Sequence, residues 1–419
     1  MVAFHYPPAR VSSGVQRTLK FSRYLLDHGW QAHVLSADVR AYENQCVGQV
    51  DEIPAAVKVK RAFALDTAKH LSIKGKYMLT MALPDRWVSW CFSGVCSGLL
   101  IIKKSKPKVI WSTYPIASAH LIAYLLHRLS GIPWIADFRD PMWDEVHPAP
   151  GLKRKLYQAI EKKVVKYCHY AVLTTPSAVA LYRRRYPGLP VSKWILIANG
   201  YDEENFIKAA NSIEYKQGKQ AKDSSKLFLV HSGLLYPSER DPSAFFKAVA
   251  ALKVQGVLSH NNCQIILRAT GHDDFYLSII NAEGIEDIVC LAPSIPYQEA
   301  LVEMLLADGL LLFQAANCNH QIPAKAYEYL RAKRPVFAMT DIKGDTADLL
   351  NHSNLSNIVD LTNKHEITVQ LSVFLCQIRA GNSDISSDEF ISTHSRECRS
   401  SQLVDLLALA IMQDESLLT

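Results

Sequence analysis

The sequence predicts an α/β protein made of two Rossmann-like, doubly wound domains facing a cleft. Three observations carry that expectation. Short apolar runs alternate with amphipathic stretches of helical period along most of the 419 residues, the pattern of parallel strands linked by helices. The alternation restarts at Leu227, after a polar segment from Lys208 to Lys226 rich in Lys, Gln, Asn and Ser. Gly309 to Met339 then spell out a complete strand–loop–helix–strand crossover, which in such sheets is right-handed and binds ligands at the carboxyl ends of the strands.

The first domain is placed over residues 1–202. Val2 to His5 reads as the end of a first strand, followed by a loop containing Ser13 and Gly14. Val15 to His28 has Val15, Leu19, Leu25 and Leu26 near one stripe, and Gly29 stands where a helix closes. Gln31 to Ser36 is the next strand. The loop lacks GxGxxG, and with it the dinucleotide fingerprint. Lys58 to Lys108 mixes lysines with Phe63, Tyr77, Trp87, Trp90 and Phe92. That mixture suits a membrane interface, and equally a helix pair packed on a sheet with its lysines turned outward.

Strands follow at Val109 to Trp111 and Trp134 to Ala136, with a helix from Ile116 to Leu129 between them. The second strand delivers Asp137, Arg139 and Asp140 at its carboxyl end, where charged residues are seldom buried without a role. Asp137 is expected to act as a base or to orient a sugar hydroxyl, and Arg139 to bind a phosphate. The alternative is an internal Asp–Arg pair that shapes the loop. Lys153 to Tyr170 is a basic amphipathic helix suited to an anionic surface, with a merely solvated basic face as the alternative. Ala171 to Thr175 and Ile195 to Ile197 are further strands.

The second domain is placed over residues 203–401. Leu227 to His231 is a strand, and Gly233 after it lets the backbone approach a ligand closely. Arg240, before a helix that Pro242 would start, is placed to hold a phosphate. Strands at Gln264 to Arg268 and Ile288 to Leu291 lead to the crossover. There Gly309 to Gln314 reads as a buried strand, Pro323 as part of a first helical turn, and Ala324 to Lys333 as a helix stopped by Pro335. Lys325 and Glu328 lie one turn apart on roughly one face. A helix amino terminus with a lysine suits a phosphate, and a carboxylate suits paired ribose hydroxyls. An ordinary Lys–Glu pair is the alternative. Residues 402–419 are expected to form a last helix and tail packing back on the first domain.

Apolar residues make up 49% and charged residues 21%, enough apolar material for two cores. No run approaches the ~20 apolar residues of a spanning helix. The start has no basic leader followed by an apolar core, so a cytoplasmic protein is expected. Nine cysteines without CxxC or Cys/His spacing suit reduced thiols. No HExxH, P-loop or GxSxG pattern is present. Residues 1–200 hold 28 Lys+Arg against 12 Asp+Glu, a net of +16, and the remainder 18 against 28, a net of −10. Such polarity bears on partners rather than on fold: an anionic membrane surface, nucleic acid or an acidic acceptor are the candidates, and opposite charges that help the two halves face each other are the alternative.

Five segments in order resemble the group 1 (family 4) glycosyltransferases of the GT-B fold, in particular bacterial surface-polysaccharide members. They are YPPARVSSGVQRTLKFSRYLLDHGW, GIPWIADFRDPMWDE, ILIANGYDEENF, SGLLYPSERDP and IPAKAYEYLRAKRPVFA. The resemblance implies retaining transfer of a sugar from a nucleotide-sugar donor to a glycan or lipid-linked glycan, without cofactor or metal. On it, Gly233, Arg240, Pro323, Lys325 and Glu328 bind the donor. Arg240 and Lys325 meet the charge of the leaving diphosphate, and Asp137 and Arg139 join them in catalysis. Ser13, Gly14, Asp137 and Arg139 line the acceptor side. Three positions depart from the family's pattern. The first of its two glutamates falls on His320, its first diphosphate cation on Leu234, and its histidine near Arg139. A non-catalytic scaffold of a polysaccharide-assembly complex and a nucleotide-sugar epimerase are the other readings. The basic first half implies peripheral docking on an anionic membrane, at the inner face of the cytoplasmic membrane, and no nucleic acid partner is expected.

Overall fold

A computed structural model describes the chain except residues 11–12, 75, 145–146, 222–224 and 419; of residues 13, 47 and 415–418 only the backbone is described. The chain divides into two compact units, Met1–Asn199 with Arg396–Thr419, and Gly200–Ser395.

In the first unit, β1 (His33–Ala37) pairs with β2 (Lys58–Ala62), and β3 (Ile110–Thr113), β4 (Trp134–Arg139), β5 (Tyr170–Leu173) and β6 (Trp194–Leu196) follow in that order, all parallel. Val2 joins the two groups by bridging Leu35 on one side and Ser112 on the other. The expected first strand is therefore a single bridging residue with its neighbours. β2 escaped the sequence reading because it is an edge: Lys58 and Lys60 project into solvent, as edge strands commonly arrange. The helix Ser13–Asp27 closes at Gly29, whose φ of 77° suits glycine.

Of the two readings for residues 58–108, packing on the sheet fits the tryptophans. Trp90, in the helix Trp90–Ser105, is fully buried, and Trp87 donates its indole N–H to Ala41 O at 3.0 Å beside the ring of Phe4. Trp90 is closed to a bilayer, and Trp87, half-buried, is tied into the core. The last helix runs Arg396–Leu418, starting well before Gln402. Its Leu403, Leu406, Leu407 and Ala410 share a core with Phe21 and Leu25 of the helix Ser13–Asp27.

The second unit holds one parallel sheet in the order β12-β11-β10-β7-β8-β9. Its strands are β7 (Leu227–Ser232), β8 (Cys263–Arg268), β9 (Val289–Ala292), β10 (Gly309–Phe313), β11 (Val336–Met339) and β12 (Ile358–Val359). The order reverses between β7 and β10, the point at which doubly wound sheets open a crevice. The polar segment after Lys208 is no linker: the helices Glu203–Ala210 and Ile213–Ala221 cover much of it. Polar composition concealed the second of them, which buries none of its residues.

The helix Ala324–Ala332 begins one residue later than expected, with Pro323 as its N-cap. It ends at Lys333, a non-glycine residue in the left-handed region (φ 51°), whose ammonium pairs with Asp388. An exposed ion pair contributes little, whereas a side chain in this conformation costs about 1 kcal/mol or more. Lys333→Gly is therefore expected to raise stability by roughly 0.5–1 kcal/mol, the unfolded chain's added freedom offsetting part of the gain. Calorimetric melting checks this; a lower melting temperature would show that the Asp388 pair outweighs the strain.

Candidate functional site

The chemistry-bearing residues of the second unit gather where β7 and β10 diverge. β7 ends in His231 and Ser232, and Gly233 follows with φ 110°, a conformation that side chains other than glycine's rarely adopt. A Cβ there would lie 3.1 Å from Lys325 Nζ, so the lysine lies directly over the glycine. Lys325 is in the first turn of Ala324–Ala332, and its Nζ is 3.1 Å from His231 Nε2. His231 Nδ1 lies 2.8 Å from Leu311 O of β10. Tyr329, one turn further along the helix, accepts the Ser232 N–H at 3.1 Å. These contacts tie the helix start to the end of β7.

Glu328 is 9% exposed, and the Tyr297 hydroxyl donates to its Oε1 at 2.7 Å. One hydrogen bond leaves acceptor capacity on a carboxylate. Lys325 and Glu328 are therefore not the simple surface pair that spacing also allowed: each has a partner from another element. Arg240 donates to Leu234 O at 3.0 Å, with its guanidinium 5.7 Å from the Tyr236 ring centroid. The loop entering the helix is braced by Gln314, whose amide donates to Cys318 O and Gln321 O at 2.8 Å each.

The electrostatics favour an anion. Burial, then the charge of Arg240, holds the Lys325 ammonium well below the usual lysine range, with Glu328 opposing. Burial, then Lys325, pushes His231 well below the usual histidine range. Lys325 and Arg240 thus repel each other, and a phosphate would relieve that repulsion.

In the first unit, β4 runs through Asp137 to Arg139, beyond its expected end, with a register shift between those residues. Asp137 is fully buried. Arg17 Nε and Nη2 donate to its two oxygens at 2.9 and 3.1 Å, and Thr113 Oγ1 donates at 3.2 Å. Arg17 also reaches Ala198 O and Ile197 O. The internal pair forms, with Arg17 rather than Arg139. It gives Asp137 a structural position with no open face toward an acceptor.

Arg139 is 8% exposed and left-handed (φ 63°), a strained conformation of the kind that clusters at functional sites. Its Nη1 donates to Tyr114 O at 3.3 Å and would lie 2.6 Å from a Cβ on Gly14, so a side chain at position 14 would push the guanidinium from this place. Burial, then Arg139, lowers His5 to about 4. Gly14 and Arg139 are thus brought together, while the Ser13 side chain lies outside the described residues.

Residues 13–200 match the model of the glycosyl transferase 4-like domain. The first unit is a glycosyl transferase 4-like domain. Solved structures resemble the whole chain. Sucrose-phosphate synthase from Thermosynechococcus elongatus superposes with a TM-score of 0.65 at 11% identity, covering 98% of this chain and 96% of that one. WaaG, a glycosyltransferase involved in lipopolysaccharide biosynthesis, gives 0.62 at 14%, with 97% and 99% covered. Anabaena HepE in complex with UDP-glucose gives 0.62 at 11%, with 96% and 98% covered. No curated protein matches the sequence. At these identities the structures speak for the fold, which is GT-B with two Rossmann-like domains. The family match covers residues 13–200 and the structural likeness extends the fold over the whole chain.

Sequence reasoning missed Arg17, His231, Tyr297 and Gln314. Arg17 had no local signal, since its partner is 120 residues away. His231 and Gln314 close apolar strands and read as strand ends.

Proposed function

We propose that this protein is a glycosyltransferase that moves a sugar from a nucleotide-sugar donor to a lipid-linked glycan, with retention, in the synthesis of a surface polysaccharide. The observation that carries the donor half is the cluster of Lys325 over Gly233, with Arg240 near and Glu328 held by Tyr297. Cleaving a sugar–phosphate bond builds negative charge on the diphosphate, and preorganised cations stabilise that charge most where water is excluded. Lys325 and Arg240 supply the cations, and Glu328 receives the ribose hydroxyls. For retention, the acceptor hydroxyl attacks from the side of the leaving phosphate, which takes the proton. Arg139 and Gly14 serve the acceptor half from the first unit. The UDP-glucose complex of HepE supports a nucleotide sugar as donor.

A thermal-shift series with UDP, GDP, ADP and CMP tests the donor half. At 100 times its dissociation constant a nucleotide adds about 2.7 kcal/mol of stability, and no shift with any of them would remove the reading. We take the two protein cations to do the work of a metal. Full activity is therefore expected in EDTA, and activity lost to the chelator and restored by magnesium or manganese would overturn that.

The acceptor half rests on the surface of the first unit. Ile73, Met78 and Leu79 are 80, 68 and 63% exposed, and Lys69, Lys74 and Lys76 lie exposed beside them. The neck of this excursion is clamped by Asp66, which takes Arg86 Nε at 2.9 Å. Lys155, Lys162, Lys163 and Lys166 are exposed on the helix Leu152–Tyr167. Apolar side chains among lysines suit an anionic bilayer, where each lysine contributes about 1 kcal/mol. No helix of the described residues is long and apolar enough to cross a membrane, so docking is peripheral, at the inner face of the cytoplasmic membrane. Sedimentation with anionic vesicles is expected to fall in high salt. It should also weaken both on changing the four lysines to Glu and on changing Ile73, Met78 and Leu79 to Ser. Equal sedimentation with neutral vesicles would sink the proposal.

A further inference from the structure

His231 has no part in the donor chemistry above, yet it is fully buried in the middle of the cluster, its ring set edge-on to Phe313 at 5.0 Å. Its two nitrogens are not equivalent. A carbonyl oxygen can only accept, so the contact with Leu311 O requires a proton on Nδ1. In the neutral ring Nε2 is then a bare lone pair. An ammonium can only donate, so Lys325 must give one N–H to that lone pair. The two strands that part at the switch point are thus linked through one imidazole to one ammonium.

We propose that His231 is a positioning residue for the donor diphosphate: Leu311 fixes its tautomer, and its Nε2 lone pair fixes the Lys325 ammonium over Gly233 with two N–H groups left for phosphate oxygens. This rests on the donor-site reading above. The arrangement works only while the ring stays neutral, because a proton on Nε2 would face the ammonium. Burial, then Lys325 and Arg240, favour the neutral ring, against the backbone of Leu311 and Gly233, which favours its charged form. The charged groups acting on the pair are Arg240 from the loop after β7 and Glu328 from the lysine's own helix; Tyr329 meets the neighbouring Ser232 N–H. An acceptor at Nε2 stabilises the charged lysine against burial and Arg240, so it also keeps Lys325 protonated to higher pH. UDP affinity should therefore fall as pH rises through the lysine's lowered pKa.

Two amide substitutions separate the ring's two contacts. Asn spans the Nδ1 position and can satisfy Leu311 without reaching Lys325. Gln places a carbonyl oxygen near Nε2 and can satisfy Lys325. Titration calorimetry with UDP, and with inorganic pyrophosphate as a base-free probe, is run across pH on the full chain. His231→Asn is expected to weaken binding by about tenfold and to move the alkaline fall to lower pH, whereas His231→Gln restores both. In a Lys325→Met background, His231→Asn is expected to cause no further loss, because the contact it removes is already gone. If Asn binds as the parent does, or if its loss persists undiminished beside Lys325→Met, His231 is structural and the inference is overturned. If the parent binds neither UDP, GDP nor ADP, nor pyrophosphate, the donor-site reading itself fails.

Discussion

Asp137→Ala is expected to lower stability by about 3–5 kcal/mol, because it strands a buried guanidinium. Asp137 is fully enclosed and Arg17 is 3% exposed, with two of its nitrogens aimed at the lost carboxylate. Arg17 would keep its bonds to Ala198 O and Ile197 O, which hold it in place and prevent it from turning to water. For a unit of this size the loss corresponds to a melting temperature lower by roughly 10 °C. Asp137→Asn should cost less, since an amide oxygen still accepts one hydrogen bond. Calorimetry on both variants decides the matter. Unchanged melting with turnover abolished would return Asp137 to the reaction, as its place at a strand end first suggested.

Lys325→Met and Glu328→Ala are expected to cut turnover by about 10²–10³-fold, the range for removing one preorganised charge or donor from a transition state. Their stability effects should differ in sign. Glu328→Ala removes the 2.7 Å hydrogen bond from the Tyr297 hydroxyl, a loss of about 1 kcal/mol. Lys325 is held well below its usual range by burial and Arg240, so its charged form is destabilised in the folded protein. The unfolded chain binds that proton more tightly, and the penalty is full below the folded pKa. It fades as pH rises toward the unfolded value near ~10.4. Lys325→Met should therefore melt at the parent temperature or higher at pH 7, with the advantage shrinking in alkaline buffer. Parent turnover in both variants would remove the donor-site assignment.

Periodicity made most of the fold legible. Strands such as Leu227 to His231 and Gly309 to Gln314 are apolar runs bounded by breakers, and each appears within a residue or two of its expected place. The helix carrying Lys325 and Glu328 was legible because proline punctuates both of its sides. β2 was not, because an edge strand reading Lys-Val-Lys-Arg-Ala buries only Ala62 fully and offers no apolar run. The site was legible as residue types and hidden as partnerships. Lys325 and Glu328 stand out from their spacing, but their contacts come from 94 and 31 residues away. Asp137 shows the converse: a charged residue at a strand end carries the same local signal whether it meets a substrate or a distant arginine.

The helix Arg396–Leu418 belongs to the first unit, although the second unit lies between it and the rest of that unit in sequence. On a ribosome the order of emergence matters. When Asn199 leaves the exit tunnel, every strand of the first sheet is available, but Phe21 and Leu25 still lack the leucines that cover them. At roughly 5–20 residues per second, the missing helix follows only after about 10–40 s. Through that interval the nascent first domain presents an open apolar stripe. It is then a natural client for a chaperone and prone to associate with its neighbours on a polysome. The second domain, contiguous from Gly200 to Ser395, completes its fold before the first one can.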